Sequence, residues 1–197
     1  TDTFFNDAFD ENSSENFYFL KKNIHTDFDV EELVNSAFQI KGHINLVLNL
    51  VGKIYSEPVV SFQKGRIASH CKESWEKIIF SNLTLPFLLS SHSARLLLKQ
   101  KQKAVIVNFS SILAQGHRGQ AAYSTAKAGV EVFSKVISRE LGPMGVRINC
   151  IAPGFISSES TFQALGDRVD FVKEKIDMRK LGDPEDIFKT INFIWDN

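Results

Sequence analysis

The sequence predicts an α/β fold, a doubly wound parallel sheet, on three observations. Short apolar runs at residues 44–50 (INLVLNL), 104–109 (AVIVNF) and 146–151 (VRINCI) have the length and branched content of strands buried on both faces. Segments with helical spacing of apolar residues alternate with them. Turn formers, Gly52, Gly142-Pro143 and Pro153-Gly154, stand where runs and helices end.

Each element follows in order. Residues 1–17 show no period and predict a loop or frayed helix without function. Residues 17–23 (FYFLKKN) predict a short strand, and Asp27 is the expected N-cap of a helix through VEELVNSAF. Residues 53–70 predict a long polar loop. Residues 72–99 predict a helix carrying Trp75, Ile78, Ile79, Leu83, Phe87, Leu88 and Leu97, kinked at Pro86. A strong helix is expected over 121–141, and two more over 162–175 and 184–195. With no internal repeat, residues 1–197 are expected to form a single domain.

Composition narrows the function. The 23 basic and 23 acidic residues cancel, so no net field draws in a nucleic-acid backbone. The two cysteines, Cys71 and Cys150, form neither a CxxC pair nor a metal-ligand cluster; they are expected to be packing residues in a reducing compartment, with no metal site. No run approaches eighteen apolar residues and the first residues lack the order of a signal peptide, so the expectation is a soluble, cytoplasmic chain with no membrane partner.

In such sheets ligands bind beyond the carboxyl ends of the strands. Ser110 and Ser111 follow AVIVNF, and the next helix opens with Tyr123-Ser-Thr-Ala-Lys127. Tyr123 and Lys127 are four apart, on one helical face. A phenol ionises near pH 10, and a lysine ammonium beside it favours the phenolate, so Tyr123 could pass a proton to a developing alkoxide. A serine hydroxyl at the strand end could bond the same oxygen and polarise a carbonyl for hydride attack.

Taken together, NFSS, GQAAYSTAKAGV, FSKVISREL and GVRINCIAPGFI resemble the short-chain dehydrogenase/reductase family, most of all its 3-oxoacyl-carrier-protein reductases. The resemblance extends back through LVLNLVG and NIHTDFDVEEL and forward through RKLGDPEDI, about 170 residues in all, with an insertion within residues 53–70. It implies a Rossmann-like sheet and an NAD- or NADP-dependent interconversion of a ketone and a secondary alcohol, with a 3-oxoacyl thioester of fatty acid biosynthesis as first substrate. It makes Tyr123 the proton donor, Lys127 the holder of the nicotinamide ribose, Ser111 rather than Ser110 the group orienting the carbonyl, and Asn82 the anchor of a proton-relay water. Asn23, Ile24 and Asn49 would line the adenosine side, and Pro153, Gly154, Ile156 and Ser158 the nicotinamide and pyrophosphate. The resemblance also implies a homodimer or homotetramer, and a substrate that a carrier protein can deliver, with Lys99, Lys101 and Lys103 as a basic cluster for it or a plain solvated turn.

The chain departs from that pattern in two ways. The family's TGxxxGxG loop, which holds the pyrophosphate at a helix N-terminus, has no counterpart here, so one N-terminal βαβ unit is missing and the choice between NAD and NADP is unreadable. A final strand is also missing. Without the first unit, the strand ending at Asn49 should keep an open edge, and Leu50 and Val51 replace smaller, more polar residues. A fragment of a longer reductase, a natural truncation and a degenerate homologue all fit these departures. The alternative to an enzyme is a non-catalytic truncated homologue acting as a binding or assembly subunit.

Overall fold

A computed structural model describes residues 18–63 and 65–197; the loop expected over 1–17 lies outside them. Strand β1 (Leu46–Asn49), β4 (Ala104–Phe109) and β5 (Val146–Ile151) form a parallel sheet in the order β1-β4-β5. Helix α3 (Leu85–Lys99) lies on the crossover from β1 to β4 and α4 (Ala121–Leu141) on that from β4 to β5, while α1 (Asp27–Lys41) precedes β1 and packs Val30 and Val34 on Leu85 and Leu96 of α3. Val105 and Val107 are as buried as Ile106, so both faces of β4 are covered, as an apolar central strand requires. Ile106 packs with Ala94 and Leu97 of α3. Arg147, in register with Val105 on the opposite face, donates to the carbonyl of Trp195 in α7 (Pro184–Asp196). Helices therefore lie on both faces, as the alternating pattern predicts.

Several expectations need correction. The N-cap of α1 is Thr26, not Asp27. A capping box needs an acceptor three residues on; Thr26 has Asp29 there, whose carboxylate accepts from the Thr26 N–H at 2.8 Å, whereas Asp27 has Val30, which is fully buried. The backbone N–H of His25 above all, then the Thr26 donors, hold the Asp29 carboxyl below its usual range. Thr26→Ala should destabilise the chain by about 1 kcal/mol in urea unfolding, with an unchanged denaturant slope. No strand forms over residues 18–23, because a strand exists only by pairing and no described strand lies beside this segment.

The expected polar loop contains a hairpin, β2 (Val60–Gln63) and β3 (Arg66–Ser69), turned at Gly65 with φ +75°. The alternation in VSFQ and RIAS is its signal. The expected single helix over 72–99 is α2 (Lys72–Ile79), a π-helical turn (Phe80–Thr84) and α3. Pro86 has no N–H for the carbonyl of Asn82 and its ring crowds that carbonyl, so the ladder widens by one residue just before it. The helix expected over 162–175 is divided by Gly166 into α5 (Glu159–Leu165) and α6 (Val169–Lys175), joined by a 3₁₀ turn.

Among the described residues β1 pairs only with β4. Its other edge opens on an apolar hollow of about 680 Å³ whose lining includes Leu33, Val34, Leu46, Leu48 and Trp195. No helix among the described residues is long and apolar enough to cross a membrane.

Candidate active site

The carboxyl ends of β1, β4 and β5 and the start of α4 converge on one place. The chain leaves β4 with the Ser110 N–H donating to Ile151 on β5 at 2.7 Å. Ser110 is buried, and its hydroxyl is committed to the Glu131 carboxylate at 2.7 Å. Ser111 caps a 3₁₀ turn (Ile112–Gln115), its Oγ accepting from the Leu113 N–H at 3.2 Å, and its side chain lies near enough to the phenol of Tyr123 to favour the ionised form. The two neighbouring serines thus differ: one locks β4 to α4, the other lies by the Tyr123 phenol.

Tyr123 and Lys127 share one face of α4, with the lysine amine 5.8 Å from the tyrosine ring centroid. Both are buried. Burial pushes the Tyr123 phenol above its ordinary value, with the Ser111 side chain partly offsetting it. The expected lowering by Lys127 is not found, because the amine lies over the ring and donates to the Phe109 carbonyl at 2.8 Å rather than to the hydroxyl. Burial lowers Lys127 to about 8, against a smaller opposing influence from the Cys150 thiol.

That depression has a stability consequence. The folded chain gives up the Lys127 proton near pH 8 and the unfolded chain near 10.5, so between them the unfolded state binds more protons and stability rises with pH. Relative to Lys127→Met, the parent chain should gain about 2–3 kcal/mol over that window in urea titrations, the penalty for a buried ammonium being fully present below pH 8.

Asn82 is fully buried in the π-helical turn. Its side chain accepts from the Lys53 N–H at 3.1 Å and donates to the carbonyls of Lys53 and Ile78 at 3.0 and 3.1 Å, clamping the loop after β1. Gly52 lies under this clamp, where a Cβ would come 2.7 Å from Asn82 Oδ1 and 3.3 Å from Lys127 Nζ. Asn82, Gly52 and Lys127 are therefore neighbours, which sequence spacing alone does not show.

The other expected residues are dispersed. Asn49 is buried and its amide donates to Ser90 Oγ at 2.9 Å and Asn108 Oδ1 at 2.6 Å. Asn23 is exposed, and Ile24 packs on the cluster around Val30. Leu50 and Val51 point to solvent. The Pro153 carbonyl accepts from Ile112, Gly154 is open with only Ile112 within 4 Å of a Cβ placed there, Ile156 bridges to Gly182, and Ser158 caps α5. Sequence reasoning missed Asn108, Ser90, Ser134 and Glu131. A lone polar residue inside AVIVNF was the available signal, since a buried amide must find partners.

Cys71 is not a packing residue. It is exposed at the N-cap of α2, where the Ser74 N–H and hydroxyl and the Glu73 N–H hold its thiol below the usual range. Cys150 is half-buried, its thiol pushed up by burial. Among the described residues no group of three or more His, Cys, Asp or Glu could hold a metal ion.

A family profile described as Enoyl-(Acyl carrier protein) reductase matches residues 6–197. A human (3R)-3-hydroxyacyl-CoA dehydrogenase is 37% identical over 124 residues, 62% of this chain and 48% of that protein. A 3-oxoacyl-[acyl-carrier-protein] reductase from Synechocystis is 31% identical over 176 residues, 89% of this chain and 66% of the relative. The chain thus spans about half to two thirds of the relatives it matches. A solved structure of ElxO with NADP bound shares the fold at a TM-score of 0.73 and 23% identity, over 85% of this chain and 66% of that one. The profile spans nearly the whole sequence, so this chain belongs to the short-chain dehydrogenase/reductase family.

Proposed function

We propose that the chain carries the catalytic half of an NAD(P)-dependent oxidoreductase that interconverts a ketone and a secondary alcohol, with a 3-oxoacyl thioester as first substrate. The observation that carries the reading is the buried Tyr123 ring with the Lys127 amine 5.8 Å from its centroid and the Ser111 side chain beside its phenol.

The donor set suits the nicotinamide half of such a nucleotide. The Lys127 amine lies beside Gly52, where no side chain fits, and has donors beyond the one given to Phe109 for ribose hydroxyls. Gly154 leaves an open wall on the other side. The pyrophosphate half has no glycine-rich loop in this sequence. When bound, the nucleotide supplies or accepts the hydride. Ser111 donates to the carbonyl oxygen of the substrate and orients it. Tyr123, its proton held firmly by burial, delivers that proton to the oxygen as charge develops there. Lys127 is a cation below about pH 8 and offers the donors not given to Phe109 to the ribose hydroxyls of the nucleotide. Reduction is therefore favoured at neutral pH.

The exposed Phe87, Val132 and Val136 on α3 and α4 form the face by which two copies would associate. Lys99, Lys101 and Lys103 are all exposed, as docking a carrier protein requires. The apolar hollow beside β1 favours a second reading, a non-catalytic assembly subunit that binds through the open edge. Titration with NADH and NADPH separates them. A complete site should raise the melting temperature, because a ligand that binds the folded state alone adds about 2–3 kcal/mol of stability at a hundredfold excess over Kd. No shift with either nucleotide at millimolar concentration would leave the assembly role.

A further inference from the structure

Consecutive residues at the end of β4 meet residues of α4 that are spaced four apart. The Phe109 carbonyl accepts from the Lys127 amine at 2.8 Å, Ser110 Oγ donates to the Glu131 carboxylate at 2.7 Å, and the Ser111 side chain lies by the Tyr123 phenol. Tyr123, Lys127 and Glu131 thus share one face of the helix. The first two have roles in the chemistry above; Glu131 has none.

A lysine and a glutamate four apart on a helix attract each other and commonly pair. Among the described residues no ion pair joins Lys127 to Glu131. Two directed contacts account for this. Phe109 draws the amine towards the N-terminal turn of α4, over the Tyr123 ring. Ser110 stops the carboxylate at the level of the Lys127 carbonyl, which lies 3.1 Å from the same hydroxyl. Ser110 is itself fixed, being buried with its N–H donated to the Ile151 carbonyl at 2.7 Å. Glu131 is only half-buried, and the Cys150 thiol is acted on by both charges, raised by the carboxylate and lowered by the ammonium. The carboxylate therefore stands close to the amine without reaching it.

We propose that Ser110 is a positioning residue that holds the Glu131 carboxylate off the Lys127 amine and so keeps that amine unpaired for a ligand hydroxyl. That the hydroxyl belongs to a nucleotide ribose rests on the redox reading above; the restraint does not. An amine paired with a carboxylate gives up N–H groups that the ligand needs and holds its proton more firmly.

The test reads the lysine directly and needs neither nucleotide nor turnover. With carbon-13 at lysine Cε, the Lys127 signal, identified by its loss in Lys127→Met, should titrate near pH 8. Ser110→Ala should release the carboxylate and raise that midpoint above about 9, the effect of an opposite charge within a few ångströms. Glu131→Gln alone should leave the midpoint where it is, and Ser110→Ala combined with Glu131→Gln should return it to about 8. Tyr123 and Cys150, which also face the amine, are pushed up by burial and are present in every variant. Ser110→Cys, close to serine in size but a weaker donor, should give an intermediate midpoint. Mere loosening of the strand end would let water reach the amine in the single and the double variant alike. A rise that persists in the double variant therefore overturns the restraint, as does an unchanged midpoint in Ser110→Ala. NADPH titration gives a second reading: Ser110→Ala should weaken binding about tenfold, and adding Glu131→Gln should restore it. If the midpoints follow this cycle and neither nucleotide binds the parent chain, the restraint stands and the redox reading alone falls.

Discussion

Tyr123→Phe should lower turnover of a ketone by about 10²–10⁴-fold, the range for removing a positioned acid, while leaving nucleotide affinity and the fold almost unchanged. The phenol is the group best placed to protonate a carbonyl oxygen held by Ser111, whose side chain acts on it. The ring itself packs with Ile78, Ala122 and Leu113, and phenylalanine keeps that packing. Stability should therefore change by no more than about 1 kcal/mol, the scale of one polar contact. Single-turnover rates with excess NADPH, alongside melting curves, read both quantities. A variant with parental turnover would remove Tyr123 from the chemistry. The pH profile adds an independent check: reduction should decline above about pH 8 as Lys127 loses its charge, and Lys127→Met should lack that limb.

The sequence made the central sheet and the pairing of Tyr123 with Lys127 legible, because both rest on local periods. AVIVNF and VRINCI became strands with their expected ends, and α4 runs over the expected 121–141. What was not legible depends on contacts distant in the chain. Asn82 is positioned by Lys53, twenty-nine residues away, and the π-helical turn that carries it comes from a proline whose effect reads in sequence only as a kink. The electrostatics were misjudged for the same reason. Spacing places the lysine one turn from the tyrosine, but it does not reveal that Phe109 offers the amine a carbonyl or that both groups lose their water. The hairpin was hidden because short strands between polar residues look like a loop until they pair.

Asn108→Leu should cost about 2–4 kcal/mol, although leucine is more apolar than asparagine and close to it in size. Asn49, Asn108 and Cys150 occupy one register row across β1, β4 and β5. On the helix side, Ser90 of α3 donates to Asn108 Oδ1 at 3.1 Å, and Asn108 Nδ2 donates to Ser134 of α4 at 2.9 Å. Asn49, Asn108, Ser90 and Ser134 are all at most 3% exposed, so water cannot replace a lost partner. Leucine leaves the Asn49 amide short of one acceptor and the Ser90 hydroxyl without one, and each such buried group costs about 1–3 kcal/mol. The row lies one residue below Phe109, whose carbonyl holds Lys127, so the same substitution should loosen the lysine. Chemical unfolding measures the first effect. Adding Ser134→Ala to Asn108→Leu should cost about 1 kcal/mol less than Ser134→Ala costs alone, since the shared hydrogen bond is already gone. An Asn108→Leu chain as stable as its parent, or fully additive costs in the double variant, would show that the polar row does not hold the strand ends against α4.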